Sequence, residues 1–188
     1  MRKLFGGMVL AAIALSLPAA AHAQRRSTAP VGGAKHEFGV DIGVAYIKPS
    51  NVDGGIGILA PFDLRYGFLP RSGKLMWEPH LALNYRAVAG QSVYVFNPGI
   101  RALYSNSPGG HRRGMFFEAG AGLVMGDQGF GSGTAVQLGA AVGWRKPYEG
   151  AAWRYKLGIQ WVSSSNELAP LFADYIAIGG SIGISLWH

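Results

Sequence analysis

Trp77 to Ala87 read Trp-Glu-Pro-His-Leu-Ala-Leu-Asn-Tyr-Arg-Ala, and their polarity alternates with a period of two. Successive side chains of a β-strand point to opposite faces, so this alternation predicts a strand with one apolar and one polar face. The apolar face runs from Trp77 to Tyr85, two large aromatics near its ends. Aromatics in these positions are typical of strands that cross a bilayer between two interfaces. The stretch therefore predicts a transmembrane strand.

The same alternation recurs in eight segments between residue 36 and residue 188. An up-and-down barrel with both ends on the periplasmic side requires an even number of strands, and eight meets this requirement. The pattern predicts an all-β fold, an eight-stranded antiparallel up-and-down transmembrane β-barrel in which the first strand pairs with the eighth. The eight segments are Phe38–Tyr46, Ile56–Phe68, Trp77–Ala87, Val93–Tyr104, Met115–Leu123, Val136–Arg145, Trp153–Trp161 and Ile176–Leu186.

The N-terminal residues carry an export pattern. Arg2 and Lys3 precede an apolar segment that ends in Ala21-His22-Ala23, which predicts a signal peptide over residues 1–23. Residues 24–35 show no periodicity and are expected to be a flexible periplasmic leader. The 188 residues include no Cys, which excludes disulfides and thiolate metal sites. The net charge of +7 is basic, but an exported chain does not meet nucleic acid, so we expect no nucleic-acid partner.

Three prolines, Pro61, Pro79 and Pro98, interrupt consecutive predicted strands. A proline cannot donate a hydrogen bond to the β-ladder, and a closed barrel has no edge strand in which to place it. We therefore expect bulges or bends at these three positions.

Charged side chains occupy the polar faces of the predicted strands and so point into the barrel. An eight-stranded lumen has room for side chains and little else, and buried charges persist when they are paired. We predict a plug of ion pairs that closes the lumen, with a wet ion pathway as the alternative. The predicted network consists of Asp63, Arg65, Glu78, Arg86, Arg101, Glu118, Arg145, Arg154 and Lys156.

Aromatic side chains are expected at the two membrane interfaces, where their amphipathic rings lie at the level of the lipid headgroups. The predicted interfacial aromatics are Trp77, Tyr85, Tyr94, Tyr104, Trp144, Trp153 and Trp161.

No cofactor or metal site is predicted. His80 points inward near Glu78, and we interpret it as a hydrogen-bonded interior histidine. The other histidines, His22, His36, His111 and His188, are too scattered along the chain to form a metal site. The glycines between Gly126 and Gly133 follow one strand and precede another, which differs from a phosphate-binding loop.

The signal peptide, the eight alternating segments and a last strand with Trp187 near its end together resemble the small outer-membrane β-barrel superfamily of Gram-negative bacteria, which includes the OmpA-like and OmpX-like barrels. The resemblance covers about residues 38–188. It implies outer-membrane localisation, insertion by the barrel-assembly machinery, and contact with outer-membrane lipids and lipopolysaccharide. We expect a monomer.

One stretch is similar to an enzyme of that superfamily. Ser163-Ser164-Ser165-Asn166 resembles the His-x-Ser-Asn motif of the lipid A deacylases, but Ser163 stands where the catalytic His belongs. The family's carboxylate falls near Ala177, and a serine without its base is a poor nucleophile. We therefore predict a non-enzymatic outer-membrane barrel with a structural or surface-interaction role. The alternatives are a lipid A deacylase-like barrel and a secreted soluble barrel that binds a small apolar ligand.

Overall fold

The computed structural model describes residues 36–50, 53–70, 74–88, 91–105, 110–127, 132–148, 150–164 and 174–187. The predicted signal peptide and leader lie outside these residues. The side chains of Tyr85 and Arg86 also lie outside the described part of the chain, as do Ser165 and Asn166.

Eight β-strands and one short 3-10 helix make up the described structure. The 3-10 helix, Gly110–Arg112, lies between β4 and β5. Within the described residues, no helix combines the length and the apolar character needed to span a membrane. The strands are β1 (His36–Pro49), β2 (Gly55–Phe68), β3 (Leu75–Val88), β4 (Gln91–Tyr104), β5 (Gly114–Asp127), β6 (Ser132–Tyr148), β7 (Ala151–Ser164) and β8 (Tyr175–Trp187).

The strands form a closed antiparallel barrel in the order β1 to β8, and β1 pairs with β8 from Glu37 opposite Trp187 to Pro49 opposite Tyr175. The predicted fold and its closure are therefore confirmed. We call the end at which β1 begins the turn end, and the opposite end the loop end. At the turn end, Gly114 and Gly150 have φ values of 83° and 85°, a backbone conformation that glycine adopts without a steric penalty.

The prolines affect the wall less uniformly than predicted. Near Pro61 the β1–β2 register shifts, because β2 has an extra residue between Asp63 and Ala60 and another between Ala60 and Ile58. The prediction of bulges at Pro79 and Pro98 is wrong for the β3–β4 ladder, which runs through both prolines in one register. Each proline instead interrupts pairing on its other side without shifting the register. The missing N–H of Pro79 and of Pro98 thus affects pairing with one neighbouring strand only.

The β2–β3 ladder is short. Its recorded pairs extend from Phe68 opposite Trp77 to Phe62 opposite Leu83, although both strands continue towards the loop end. Beyond Phe62, the Asn84 side chain donates a hydrogen bond of 3.5 Å to the carbonyl of Ile58. We call this stretch the β2–β3 seam.

Candidate functional site: the barrel interior

Ten charged side chains meet inside the turn-end half of the barrel, and we call them the ion-pair cluster. Five carboxylates face five basic groups, so the cluster is neutral when every member is ionised. Its members come from seven strands, because alternation turns every second residue of each strand inward. They are Glu37, Asp41, Asp63, Arg65, Glu78, Arg101, Glu118, Arg145, Arg154 and Lys156.

Glu78 is the centre of the cluster and is fully buried. Its Oε2 accepts a hydrogen bond of 2.6 Å from Nη1 of Arg154 and lies 3.5 Å from Nη1 of Arg65. Its Oε1 lies 3.4 Å from Nη1 of Arg101. A lone carboxylate in this position would carry a large desolvation penalty, which these surrounding guanidinium groups offset.

Arg65 joins the cluster to β1 and β8. Its Nε donates to Oδ1 of Asp41 at 3.0 Å, and its Nη1 contacts Oε1 of Glu37. Its Nη2 donates to the hydroxyl of Ser185 at 2.8 Å. Glu37 also accepts a hydrogen bond of 2.7 Å from Arg145. Each donor of Arg65 therefore has an acceptor, which lets a guanidinium persist away from water.

Arg154, Lys156 and Glu118 form the side of the cluster that lies against β5 and β7. Nη2 of Arg154 donates to Oε2 of Glu118 at 2.5 Å, and Nζ of Lys156 lies 3.2 Å from Oε1. Lys156 also lies 3.4 Å from Oδ2 of Asp41. One cation thus bridges carboxylates that stand on different strands.

His80 and Asp63 lie at the edge of the cluster that faces the loop end. Nδ1 of His80 lies 3.2 Å from Oδ1 of Asp63, whose Oδ2 accepts a hydrogen bond of 2.6 Å from Arg101. The histidine ring therefore contacts a carboxylate inside the barrel. This geometry agrees with the interpretation of His80 as a hydrogen-bonded interior residue.

An apolar layer separates the cluster from the turn end. Met76, Leu103 and Phe116 are buried together, with Trp187 packed beside them. The guanidinium carbons of Arg145 and Arg154 lie 4.8 and 5.0 Å from the centre of the Phe116 ring. Cations over an aromatic face gain electrostatic stabilisation that strengthens away from water. Phe116 therefore both supports the cluster and covers it.

The 3-10 helix packs against the turn end of the barrel. Nε2 of His111 contacts the carbonyl of Lys74 at 2.8 Å, and Arg145 donates to the carbonyl of His111 at 2.7 Å. Burial lowers the pKa of His111 below its ordinary value of 6.5, and the charge of Arg145 lowers it further. The turn between β4 and β5 is thus tied to the ion-pair cluster through Arg145.

Amide side chains replace charges in the loop-end half. Nδ2 of Asn97 donates to Gln137, Nε2 of Gln137 donates to Oε1 of Gln160 at 2.9 Å, and Nε2 of Gln160 donates to the hydroxyl of Tyr175 at 3.3 Å. We call these four side chains the amide relay. Next to it lies a cavity of about 160 Å³ that reaches down to Asp63, Arg101 and Lys156 of the cluster.

The structure brings together eight of the nine predicted network residues. The side chain of Arg86, the ninth, lies outside the described part of the chain. Sequence reasoning missed Glu37 and Asp41 as members of the network. Glu37 falls one residue before the first predicted strand. The signal that could have found both is the alternation itself, because Glu37, Gly39 and Asp41 continue the inward face of β1 towards the N-terminus.

Six of the seven predicted interfacial aromatics are described, and all six are exposed on the outer wall. Trp77, Tyr104, Trp144 and Trp153 lie towards the turn end, while Tyr94 and Trp161 lie towards the loop end. The side chain of the seventh, Tyr85, lies outside the described residues.

The deacylase-like stretch shows no assembled catalytic group in the part of it that is described. Ser163 pairs with Val136 at the loop end of β7, and Ala177 is buried on β8 where a carboxylate would stand. Across the described ranges, no group of three or more His, Cys, Asp or Glu side chains is arranged to hold a metal ion.

No protein-family model matches this sequence, and no curated protein matches it. Solved structures with a similar chain path include Ail and NspA. The attachment invasion locus protein of Yersinia pestis, Ail, aligns with a TM-score of 0.46 and 9% identity over 82% of this chain and 99% of its own. Neisserial surface protein A (NspA) aligns with a TM-score of 0.50 and 15% identity over 83% of this chain and 99% of its own. The likeness to NspA supports, at the level of the fold, the predicted resemblance to the small eight-stranded barrels.

Proposed function

We propose that this chain is a non-enzymatic outer-membrane β-barrel, with a structural or surface-interaction role, whose ion-pair cluster closes the lumen to bulk flow. The observation that carries the proposal is the distribution of polarity across the wall. Large apolar side chains are exposed on all eight strands, while the ten charges of the cluster are enclosed. Hydrocarbon outside and paired charge inside is the polarity that a lipid-embedded barrel needs.

The dimensions agree with a membrane setting. Strands of 14 residues at about 3.3 Å per residue, tilted by about 40°, cover roughly 35 Å. This height exceeds the apolar band of about 25 Å that such barrels present, so both aromatic groups fall near its borders. On this proposal the outer wall contacts outer-membrane lipids and lipopolysaccharide, the barrel-assembly machinery inserts the chain, and the protein functions as a monomer.

Both alternatives are less well supported by the geometry. A soluble carrier of a small apolar ligand needs an apolar interior, whereas the charges here lie inside. A deacylase needs a base beside its serine, and the position of that base holds Ser163. Incubation of the purified protein with lipopolysaccharide should release no acyl chains, and released acyl chains would favour the enzyme.

Membrane fractionation combined with heat-modifiable gel migration tests the location and the fold of the chain. We expect the protein in the outer-membrane fraction, with faster migration in unheated samples because a folded barrel resists the detergent. A chain recovered in a soluble fraction would contradict the proposal.

Single-channel recording in planar bilayers tests the closed lumen. The wild-type protein should give no large steady conductance. Glu78→Ala removes the centre of the cluster and should raise the frequency of open events, whereas Arg113→Ala, at an exposed position of the turn end, should not. A steady conductance of the wild type would favour the wet ion pathway.

A further inference from the structure

The cavity beside the amide relay is polar on several sides. Its wall includes Asp41 from β1, Asn97 from β4 and Ser181 from β8, and its floor includes Lys156. A volume of about 160 Å³ is comparable to an engineered cavity of about 150 Å³ that admits benzene. The space therefore suits a group of roughly six non-hydrogen atoms.

Three buried polar atoms in side chains of this wall have no hydrogen-bond partner within the described residues. They are Oδ2 of Asp41, Oδ1 of Asn97 and Oγ of Ser181. The first two can only accept hydrogen bonds, and Asp41 is 2% exposed. Buried acceptors without a donor are costly, so a ligand that fits this wall must supply donors.

The charges around the cavity further restrict the class of ligand that can bind. A cation is disfavoured at Asp41, because Nζ of Lys156 already lies 3.4 Å from Oδ2, and Nε of Arg154 lies 3.8 Å from it. An anion is disfavoured as well, because the atoms of Asp41 and Asn97 that lack a hydrogen-bond partner are acceptors. A neutral hydroxyl both donates and accepts, which suits the two acceptors and the hydroxyl of Ser181.

We propose that this cavity binds a small neutral polyol group of about the size of glycerol. Such a group has two sources, a free polyol or the glycerol headgroup of a single-chain amphiphile. The second source rests on the proposed membrane location, and the β2–β3 seam gives it a route. Ile58 at the seam is exposed on the outer wall, while Asn84 at the seam lines the cavity on the inside.

The test uses the isotopically labelled full chain, folded in phosphatidylcholine nanodiscs and monitored by the backbone amide shifts of Asn97, Gln160 and Ser181. The probes are glycerol, a 1-monoacylglycerol, and the free fatty acid of the same chain length. Saturable shifts with glycerol and with the monoacylglycerol identify a free-polyol site, and saturable shifts with the monoacylglycerol alone identify a headgroup site. Either result supports the proposal, provided that the fatty acid binds at least about tenfold more weakly.

Two matched glycine substitutions test whether the ligand binds in the cavity. A Cβ at Gly139 would lie 3.6 Å from its nearest neighbour, so Gly139→Leu fits the wall and fills the cavity. Binding should weaken at least tenfold. Gly55→Leu is the control, because no atom lies within 4 Å of its added Cβ, and it should change binding less than twofold. Ser181→Ala should weaken binding about fivefold, the effect of one hydrogen bond.

Three outcomes would overturn the proposal: shifts that do not saturate with either glycerol probe, equal binding by Gly139→Leu, or fatty acid binding as tight as that of the monoacylglycerol. Heat-modifiable migration is measured on the same samples. If it persists while polyol binding is absent, the binding proposal fails and the proposed membrane barrel stands. If the wild-type protein shows no heat-modifiable migration, the proposed function fails.

Discussion

The turn-end half of the interior holds ten charged side chains in mutual contact, whereas the loop-end half holds four hydrogen-bonded polar side chains beside a cavity of about 160 Å³. The difference follows from what each kind of group needs. A buried charge without a partner is unstable, so each charge in the turn-end half must have an oppositely charged partner. A neutral amide tolerates water or a ligand as a partner, so the other half can keep open space. The first half should therefore respond strongly to substitution and the second weakly.

The largest effect is expected for Arg154→Ala. This change leaves Glu78 without its 2.6 Å partner and Glu118 without its 2.5 Å partner, and Glu78 is fully buried. Breaking a buried ion pair from one side costs about 3 to 5 kcal/mol. Urea unfolding in detergent micelles, followed by tryptophan fluorescence, measures the change in the free energy of unfolding.

The control for Arg154→Ala is Arg113→Ala, the same substitution at an exposed position of the turn end. It should cost less than about 0.5 kcal/mol. Equal effects of the two substitutions would mean that the ion-pair cluster contributes no more than a surface charge does.

A smaller effect on the free energy of unfolding is expected when either of two glycines on β6 is replaced by alanine. Gly143 and Gly139 both face inward on β6. A Cβ at Gly143 would overlap the buried ring of Phe116, while a Cβ at Gly139 would make ordinary contacts of 3.6 and 3.7 Å. Gly143→Ala should therefore destabilise the barrel by about 1 to 3 kcal/mol through overpacking. Gly139→Ala should change the free energy of unfolding by less than about 0.5 kcal/mol.

The same urea titration compares the two glycine variants directly. A large loss in Gly139→Ala would show that the loop-end half is as tightly packed as the turn-end half. The comparison between the halves would then be wrong.

The amide relay should contribute about as much as one hydrogen bond. Gln137→Leu removes the middle of the relay and leaves Asn97 and Gln160 to find other partners in the cavity. The expected cost is about 1 kcal/mol, because polar groups beside an open space keep access to water. A cost as large as that of Arg154→Ala, measured in the same titration, would place the relay on a par with the charged cluster.

Much of this arrangement is predictable from the sequence, because alternation alone assigns each side chain to a face. Arg65, Glu78 and Arg154 were predicted to lie inside for this reason, and they meet there. The extent of the cluster was underestimated where Glu37 precedes the first predicted strand. Alternation gives the face of a residue but not where its strand begins.

The hydrogen-bond pairing between strands is harder to predict from the sequence. Pro79 and Pro98 lie within one uninterrupted register between β3 and β4, because each lacks a donor on one side only. Which side that is depends on the hydrogen-bond phase of the ladder, a property of two strands together. The amide relay was missed for a related reason. Asn97, Gln137 and Gln160 are far apart in the sequence, and they become neighbours only when closure of the barrel fixes their heights.

The smallest expected effect concerns pH at the turn end, where His111 links the 3-10 helix to the wall. The pKa of His111 is lower in the folded chain than its ordinary value of 6.5, so the unfolded chain takes up the proton more readily. This contribution to stability is complete above about pH 6.5 and is lost as the pH falls below it. His111→Gln should reduce the loss of unfolding free energy between pH 7.5 and pH 5.5, measured by urea titration at both values. An unchanged pH dependence in His111→Gln would show that the acid sensitivity of the barrel arises elsewhere.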